Sequence, residues 1–346
     1  MNNNADVTAY ISTKDRYFTT LTLAISSIAT QTVLPKKFIL FEDSEPVDIR
    51  TTSVYLHLLH LLNEKGIEWE VVFGKKLGQV HNHQKAIEMC KTEWLWRLDD
   101  DNIAESNVLE NLLKCTTEKT GAVAGLVIDP TQIKTNTDVT LNNSIKSIYD
   151  APNVQWMKQT RTDVFKVEHL YSSFIYRRAA AKHGYATNLS PAGHREETIF
   201  SHEMYRAGWD LYVNPNVVTW HLREPTGGIR SHNDKSYWDS DEEFFKKKMK
   251  DWSGPADTNF YIILDNGLGD HFVFSSLIPE LKKKHGDKLV IAACYPSVFE
   301  KFDVKIISIA AAKGLLGDIE IYNIYRYCGM REWTKPLIDA FKEMYL

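Results

Sequence analysis

Hydrophobic and polar positions alternate along the first two thirds of the chain with two different periods. Short apolar runs of strand length recur between stretches whose apolar residues follow helical spacing. The pattern predicts strands at 7–12, 37–41, 69–73 and 94–98, and helices at 17–30, 51–64 and 78–90. Because each predicted helix connects two predicted strands, the pattern is typical of an α/β fold with a mainly parallel sheet flanked by helices.

The pattern weakens after the fourth strand and then returns. Residues 129–169 are rich in Asn, Thr, Pro and Gln without a clear period, which predicts a long excursion across the face of the sheet. The return of the period predicts a strand at 171–178, a helix at 196–207 and strands at 210–213 and 217–220.

The last third of the chain predicts a separate domain. Residues 239–257 are rich in charge and end in Ser-Gly-Pro-Ala-Asp, which is typical of a linker preceded by a solvated helix. Beyond it, strands at 260–264 and 289–293 enclose a Gly-containing turn and a helix at 271–284. We therefore predict a first domain at 1–238, a charged linker at 239–257 and a small Rossmann-like α/β domain at 258–346.

Composition narrows the class of protein. The 346 residues are 43% hydrophobic and 25% charged, values typical of a soluble globular protein, and the length suits two domains. A formal net charge of −4 predicts no broad positive field for nucleic acid or an anionic membrane. The four cysteines lack metal-ligand spacing, and neither a signal-peptide pattern nor an uncharged run of membrane-spanning length is found. We expect a cytoplasmic protein.

Three consecutive aspartates, Asp99, Asp100 and Asp101, follow the strand predicted at 94–98. Strand ends of this kind are where open α/β sheets bind ligands. The mutual repulsion of the carboxylates needs a cation, and Mg²⁺ or Mn²⁺, bound through oxygen and shared with substrate phosphates, suits the need. The alternative is that the acids only begin an amphipathic helix predicted at 102–113. Three in a row favour a metal-diphosphate site.

A second group of polar residues lies further along the chain. Glu196 and Glu197 begin the helix predicted at 196–207, and His221 follows the last predicted strand. In isolation, two acids at a helix start stabilise the helix, and a lone histidine is more often structural. After His221, two glycines lie between Arg223 and Arg230, so this loop can close over a diphosphate. An ordinary surface turn is the alternative.

The order of these motifs resembles that of family 2 glycosyltransferases with the GT-A fold. The similarity covers roughly residues 5–222. In the first half of this range, its motifs are the first strand and nucleotide loop at 7–16, Ser-x-x-x-Gln-Thr at 27–32 and the acidic strand end at 41–44. The later motifs are Asp-x-Asp at 99–101, the acidic pair at 196–197 and the final His221. A consistent order of motifs is more specific than any one of them.

The resemblance implies where the substrates bind. It places Thr13, Asp15 and Asp43 around the nucleotide base and ribose, and Asp99 near the ribose and the sugar. It also implies that the metal bridging the diphosphate is held by Asp101 and His221, with Asp99 as a further candidate.

Further contacts to the donor are expected from Lys85, Asp100, Arg223 and Arg230. The chain departs from the family at two places. The family commonly has Arg-Asn before the helix that leads to the metal motif, where this chain reads His-Asn-His-Gln-Lys at 81–85, and the usual Glu-Asp is Glu-Glu at 196–197.

The function implied is a metal-dependent, inverting transfer of a sugar from a nucleotide-diphosphate donor, with a UDP-sugar favoured, to a hydroxyl of a glycan or small molecule. Glu197 aligns with the family's catalytic base, and Glu196 is the second candidate. A carboxylate base deprotonates the acceptor, and the metal ion, Mn²⁺ or Mg²⁺, stabilises the departing diphosphate.

The turn at 265–270, Asp-Asn-Gly-Leu-Gly-Asp, resembles the opening of the heptosyltransferase family, whose members have a GT-B fold. The chain ends before the half that binds the nucleotide sugar in that family. We therefore expect a partial GT-B-like domain with an accessory, acceptor-recognition or homo-oligomerisation role.

Three alternative functions stay open. Transfer to hydroxymethylated bases in DNA would use the basic runs at 246–248 and 282–284. A nucleotidyltransferase also uses paired aspartates and a metal. A non-catalytic sugar-binding module would not need the acids at Asp99, Asp101 and Glu197.

Overall fold

The computed structural model describes residues 4–44, 48–136, 143–148, 154–228, 235–253, 259–316 and 324–346. They form two compact units, the first drawn from 1–144 and 153–248 and the second from 145–152 and 249–346. Within the described part of the chain, no helix combines the length and the hydropathy needed to cross a lipid bilayer.

The first unit begins with the predicted alternation of strands and helices. Its elements up to the acidic motif are β1 (Ala5–Thr13), α1 (Leu21–Ala29), β2 (Pro35–Glu42), α2 (Ser53–Glu64), β3 (Glu68–Phe73), α3 (Gln79–Met89) and β4 (Trp94–Arg97). The elements that follow are β5 (Asn102–Ala104), α4 (Val108–Leu113), β6 (Thr120–Ile128), β7 (Thr135–Asn136), β8 (Lys158–Gln159), β9 (Phe165–Val167), β10 (Phe174–Arg177), α5 (Glu196–Arg206) and β11 (Asp210–His221). Helix α6 (Lys235–Ser253) comes next, and its residues up to 248 belong to this unit.

The main sheet has the strand order β3-β2-β1-β4-β10-β6-β11-β5, and β9 pairs with β11. Strands β1 to β4 are parallel to one another, and β6 is parallel to β11. Strands β10, β5 and β9 run antiparallel to their neighbours. The predicted α/β class with helices flanking the sheet is confirmed.

The position of the cleft follows from the strand order. Strand β1 pairs with β2 on one side and with β4 on the other, so the direction of winding reverses between β1 and β4. Ligands of open α/β sheets bind at the carboxyl ends of strands at such a reversal. Thr13 ends β1 and Asp99–Asp101 follow β4, so the nucleotide loop and the acidic motif meet at this edge.

Two local predictions were wrong in detail. The helix predicted at 102–113 is instead the short strand β5 followed by α4, because Asn102 is fully buried and residues 102–104 pair with β11. The two strands predicted at 210–220 are the single strand β11, whose register with β6 shifts between Val213 and Val218, around Pro215.

The residues predicted as a charged linker are helical as far as Ser253, where α6 ends. Asp241 is 1% exposed and Phe245 is fully buried. The Asp241 carboxylate accepts hydrogen bonds from the backbone N and Oγ of Ser190, both at 2.7 Å, and from the backbone N of His194 at 2.8 Å. The part of α6 before residue 249 therefore packs on the segment that leads into α5.

The second unit is a small α/β domain. Its elements are β12 (Phe260–Leu264), α7 (Leu268–Ser275), α8 (Ile278–His285), β13 (Leu289–Ala293), β14 (Lys305–Ile307), α9 (Ile309–Leu316), α10 (Ile324–Met330) and α11 (Leu337–Tyr345). The three strands are parallel in the order β12-β13-β14. The single helix predicted at 271–284 is divided into α7 and α8, and Pro279 lies in the first turn of α8, where proline is tolerated.

Candidate active site

The carboxyl ends of β1 and β4 open into a cleft of about 300 Å³ in the first unit. Nine of the twelve predicted site residues line it: Thr13, Asp43, Asp99, Asp100, Asp101, Glu196, Glu197, His221 and Arg223. Residues far apart in the sequence thus meet at one sheet edge.

Asp100 and Asp101 both contact Arg16. The Arg16 Nη1 donates to Asp101 Oδ2 at 2.8 Å, and its Nε lies 3.7 Å from Asp100 Oδ1. The hydroxyl of Thr13 donates to Asp100 Oδ2 at 2.8 Å. Burial raises the pKa of Asp100 to about 7. Burial also acts to raise the pKa of Asp101, but contacts to His221 and Arg16 outweigh it and lower that pKa to about 2.

His221 reaches Asp101 because β11 pairs with β5. His221 lies opposite Asn102 in this pairing, and the backbone N of Leu222 donates to Asp101 O at 2.9 Å. The His221 Nε2 lies 3.4 Å from Asp101 Oδ2. The indole of Trp156 covers the imidazole, with ring centroids 5.3 Å apart. The pairing of β5 and β11 therefore places an imidazole beside the third aspartate.

Asp99 faces a different set of residues. Its Oδ2 accepts a hydrogen bond from Ser172 Oγ at 2.5 Å, and its Oδ1 lies 3.5 Å from Arg97 Nη2. Asn102 Nδ2 donates to the Oγ atoms of Ser172 and Ser173 at 3.2 and 2.7 Å, which fixes these serines beside the acidic motif.

Arg97 and Glu196 form a buried, two-pronged ion pair. Arg97 Nη1 donates to Glu196 Oε2 at 3.0 Å, and Nη2 donates to Oε1 at 2.8 Å. The two side chains are 3% and 1% exposed. Burial acts to raise the pKa of Glu196, and the Arg97 guanidinium opposes that rise. Because each carboxylate oxygen accepts a hydrogen bond from the guanidinium, the geometry is that of the ionised pair, and both oxygens of Glu196 are engaged by Arg97.

Glu197 lines the same cleft with an unused carboxylate oxygen. Its Oε2 is buried and has no hydrogen-bond partner among the described residues. A buried carboxylate oxygen without a partner is costly, and such atoms are often reserved for a ligand or for catalysis. Of the two adjacent acids, Glu197 is therefore the one with a carboxylate oxygen that no described residue engages.

Helix α6 holds the start of α5 in place. Arg195, which precedes α5, adopts a φ of 68°, in the left-handed region that non-glycine residues rarely occupy. Its Nε donates to Glu242 at 3.1 Å, and its guanidinium lies over the Phe245 ring at 5.4 Å. These contacts stabilise the turn from which Glu196 and Glu197 project.

One side of the cleft is built around Asp43. Asn82 Nδ2 donates to Asp43 Oδ2 and to Ser12 Oγ, both at 2.9 Å. A Cβ atom on Gly74 would lie 1.7 Å from Asp43 Oδ1, so only glycine allows the strand end after β3 to approach this carboxylate. Asp43 is 2% exposed and held in one orientation.

Three predicted residues are not brought to the cleft. Asp15 is exposed and lies between two lining residues, Lys14 and Arg16, with a φ of 57°. Lys85 lies on the opposite face of α3, in a second cleft, and pairs with Glu88 at 3.6 Å. The α3 residues that face the first cleft are Gln79 and His83, so helical geometry directs Lys85 away. Arg230 lies outside the described residues.

The donor atoms suit a metal ion shared with a substrate. Two ligands of an octahedral ion at about 2.1 Å lie roughly 3 Å apart, and Asp101 Oδ2 and His221 Nε2 are 3.4 Å apart. Within the described ranges, no group of three or more His, Cys, Asp or Glu side chains could hold a metal. The pair supplies two ligands at most, so an ion held there would need its other ligands from outside the described side chains.

Two arginines of the site were not predicted from the sequence. Arg97 interrupts the apolar run of β4, and a charged residue in a buried strand indicates an ion pair. Arg16 is the last residue of the predicted nucleotide loop at 7–16, and the need to balance three aspartates could have identified it. The partners of both were not recognisable, because Asp101 and Glu196 lie 85 and 99 residues further along the chain.

Comparisons with known proteins agree with this geometry. Residues 8–184, which are just over half of the chain, match the family described as Glycosyl transferase family 2. A search of curated protein sequences gave no match.

Solved structures of glycosyltransferases resemble the chain at low identity. A structure of GalNAc-T7 with UDP, GalNAc and Mn²⁺ has a TM-score of 0.50 and 14% identity, covering 64% of this chain and 44% of that one. Mannosyltransferase PcManGT from Pyrobaculum calidifontis, in complex with GDP-Man and Mn²⁺, has a TM-score of 0.45 and 15% identity, covering 65% and 59%. TarS from S. aureus has a TM-score of 0.43 and 14% identity, covering 63% and 37%. The chain spans about half the length of these proteins, and the likeness to GalNAc-T7 shows a shared fold.

Proposed function

The chain belongs to glycosyl transferase family 2, and from this we propose that it transfers a sugar from a nucleotide-diphosphate donor to an acceptor hydroxyl with inversion of configuration. The observation that carries the proposal is the position of Glu197. Its unpartnered carboxylate oxygen lies in the same cleft as Asp99–Asp101 and His221.

Glu197 is the proposed catalytic base. A base must accept the proton of the acceptor hydroxyl as the bond to the sugar forms. Glu196 was the second candidate from the sequence, but its two oxygens already accept from Arg97. In this proposal Glu196 and Arg97 hold the start of α5, so that Glu197 keeps its position relative to the donor.

The donor is proposed to lie between Asp43 and Asp99. Asp43, fixed by Asn82, would bind the base or ribose, and Thr13 lies beside it at the end of β1. Asp99, oriented by Ser172, would contact the sugar. A UDP-sugar remains the favoured donor, and the GalNAc-T7 structure contains UDP.

Asp101 and His221 would hold a divalent ion, Mn²⁺ or Mg²⁺, together with the diphosphate. Such an ion neutralises the charge that develops on the leaving diphosphate. Trp156 packs against His221 and lines the cleft. We assign Trp156 to the acceptor, a glycan or a small molecule, because aromatic side chains stack on sugar rings.

For the second unit we retain the accessory role in acceptor recognition or self-association, and its resemblance to the heptosyltransferases remains a prediction. The lysines that suggested DNA as an acceptor offer little support. Lys248 bonds to Glu203 at 3.2 Å, and Lys282 lies within 3.3 Å of both Asp287 and Asp303.

The experiment is a screen of UDP- and GDP-sugars for release of the nucleoside diphosphate, with Mn²⁺, with Mg²⁺ and with chelator. We expect metal-dependent release from one donor, stimulated by its acceptor. Release of pyrophosphate from a nucleoside triphosphate and a sugar phosphate would instead indicate a nucleotidyltransferase. No release from any donor would contradict the proposal.

A further inference from the structure

Among the residues that the structure describes, Arg16 is the one buried cation that contacts two aspartates of the acidic motif. Its side chain is 10% exposed. Burial acts to lower its pKa, but Asp100, Asp101 and Glu224 raise it, so the guanidinium stays charged. The proposed sugar transfer gives this residue no role.

Arg16 and His221 both face the same oxygen of Asp101. Asp101 Oδ2 accepts from Arg16 Nη1 at 2.8 Å and lies 3.4 Å from His221 Nε2. A divalent ion placed between Asp101 and His221 would have to contact this oxygen. Two cations at one carboxylate oxygen repel each other, so the guanidinium and the ion compete for Asp101.

The loop after β11 holds the guanidinium against the aspartates. Gly228 N donates to Lys14 O at 2.6 Å, and a Cβ on Gly228 would lie 3.0 Å from Arg16 Nη2. Gly227 and Gly228 have φ values of 71° and 73°, a conformation that glycine adopts without strain. The close approach of this loop leaves Arg16 little freedom to turn elsewhere.

The other two aspartates also have partners of their own. Asp100 accepts from Thr13 and lies near Arg16, while Asp99 accepts from Ser172 and lies near Arg97. The repulsion within the acidic motif is therefore reduced by two arginines and two hydroxyls.

We propose that Arg16 is a positioning residue that keeps divalent ions away from Asp101 until a diphosphate binds. A diphosphate brings oxygen ligands that complete the shell of the ion. It also brings negative charge, to which a displaced guanidinium binds well, because its fork of N–H donors matches phosphate oxygens. The ion and Arg16 then exchange partners, so the metal binds tightly only with the nucleotide. The inference rests on the proposed function for the use of a metal and a diphosphate.

The deciding experiment measures Mn²⁺ binding by the full chain without nucleotide, from the loss of the electron paramagnetic resonance signal of free Mn²⁺. Arg16→Gln removes the competing charge and should bind Mn²⁺ at least five-fold more tightly than the wild type. Arg50→Gln, at an exposed arginine paired with Asp48, should match the wild type. Equal or weaker binding by Arg16→Gln, or no binding at all, would overturn the proposal.

A second variant guards against a folding defect. Arg16→Lys keeps the charge but loses the fork, so its affinity for Mn²⁺ should lie between those of the wild type and Arg16→Gln. If Arg16→Gln does not fold, Arg16→Lys is the variant that tests the proposal. Binding of Mn²⁺ at least two-fold tighter than in the wild type would support the proposal, and equal affinity would overturn it.

The result also separates this inference from the proposed function. Tighter Mn²⁺ binding by Arg16→Gln without turnover of any donor would support the competition between Arg16 and the ion for Asp101, and would remove the sugar transfer. Turnover of a donor by the wild type, together with unchanged Mn²⁺ affinity in Arg16→Gln, would support the sugar transfer and overturn the role of Arg16.

Discussion

Arg97 at the end of β4 and Glu196 at the start of α5 are joined by two hydrogen bonds of 3.0 and 2.8 Å in the protein interior. The strand leads directly into Asp99–Asp101, and the helix carries Glu197. One ion pair therefore connects the proposed metal and donor site to the proposed base, and it explains why the two adjacent glutamates have different roles.

Loss of one partner of this pair should destabilise the protein. Arg97→Met leaves Glu196 buried and unpaired, which typically costs roughly 3–5 kcal/mol of unfolding free energy. The double variant Arg97→Met/Glu196→Leu removes both charges and should be less destabilised than the sum of the two single variants. Urea unfolding at pH 7 measures both effects. Strict additivity of the two changes would show that the pair is not coupled.

The two glutamates should respond differently to the same substitution. Glu197→Gln should lower turnover by about 10² to 10⁴ while the KM for the donor changes little, because it removes only the base. Glu196→Gln should lower the free energy of unfolding, because its neutral amide no longer balances Arg97. Initial rates and urea unfolding of both variants test this, with Glu88→Gln at an exposed glutamate as control. Full turnover in Glu197→Gln would remove the assignment of the base.

The approach of Gly74 to Asp43 predicts a defect in donor binding. In Gly74→Ala the new methyl group would lie 1.7 Å from Asp43 Oδ1, so the carboxylate must turn away from its present position. A charge-assisted hydrogen bond contributes roughly 1.5–3 kcal/mol, so the KM for the donor should rise by about ten-fold or more. Gly269→Ala, where no atom lies within 4 Å of the new Cβ, is the control. An unchanged KM in Gly74→Ala would show that Asp43 does not bind the donor.

Two buried histidines predict that stability falls in mild acid. Burial lowers the pKa of His169 to about 3 and lowers that of His83 well below its usual value. Both rings stay neutral in the folded state, whereas in the unfolded chain each takes up a proton below a pH of about 6.5. Each ring therefore lowers the free energy of unfolding as the pH falls below about 6.5, by roughly 1.4 kcal/mol at pH 5.5. Asp100, whose pKa is raised by burial, acts in the opposite direction over the same pH range.

The contribution of His169 can be isolated by substitution. The loss of unfolding free energy between pH 7.5 and pH 5.5 should be smaller in His169→Asn than in the wild type by about the 1.4 kcal/mol expected for one ring. His57→Asn, at an exposed histidine of α2, should keep the wild-type dependence. The same pH dependence in His169→Asn would mean that the buried ring takes up a proton.

Apolar periodicity, which is a local signal, predicted the parallel part of the sheet. Strand-end acids and the resemblance to a family predicted most of the residues that line the cleft. The sequence missed contacts that depend on distant residues. Arg97 and Arg16 bind acids that no local pattern connects to them, and β5 forms a strand only because β11 pairs with it. The many charges of α6 did not indicate that one face of this helix is buried. Asp241 on that face accepts hydrogen bonds from Ser190 and His194, which lie about 50 residues earlier in the chain. The expected contact of Lys85 with the donor came from a family motif from which this chain departs at 81–85. The position of Lys85 on α3 directs its side chain away from the cleft.

The proposed reaction breaks the bond between a sugar and a nucleoside diphosphate in this cleft. Proton NMR of the anomeric position follows that bond directly in a mixture of the protein, Mn²⁺ and the donor selected by the screen. We predict that the donor signal disappears, that free nucleoside diphosphate forms, and that the first product signal has the opposite anomeric configuration, with Glu197→Gln slower by about 10² or more. A donor that stays intact with the wild-type protein and Mn²⁺, with or without candidate acceptors, would contradict the proposed sugar transfer.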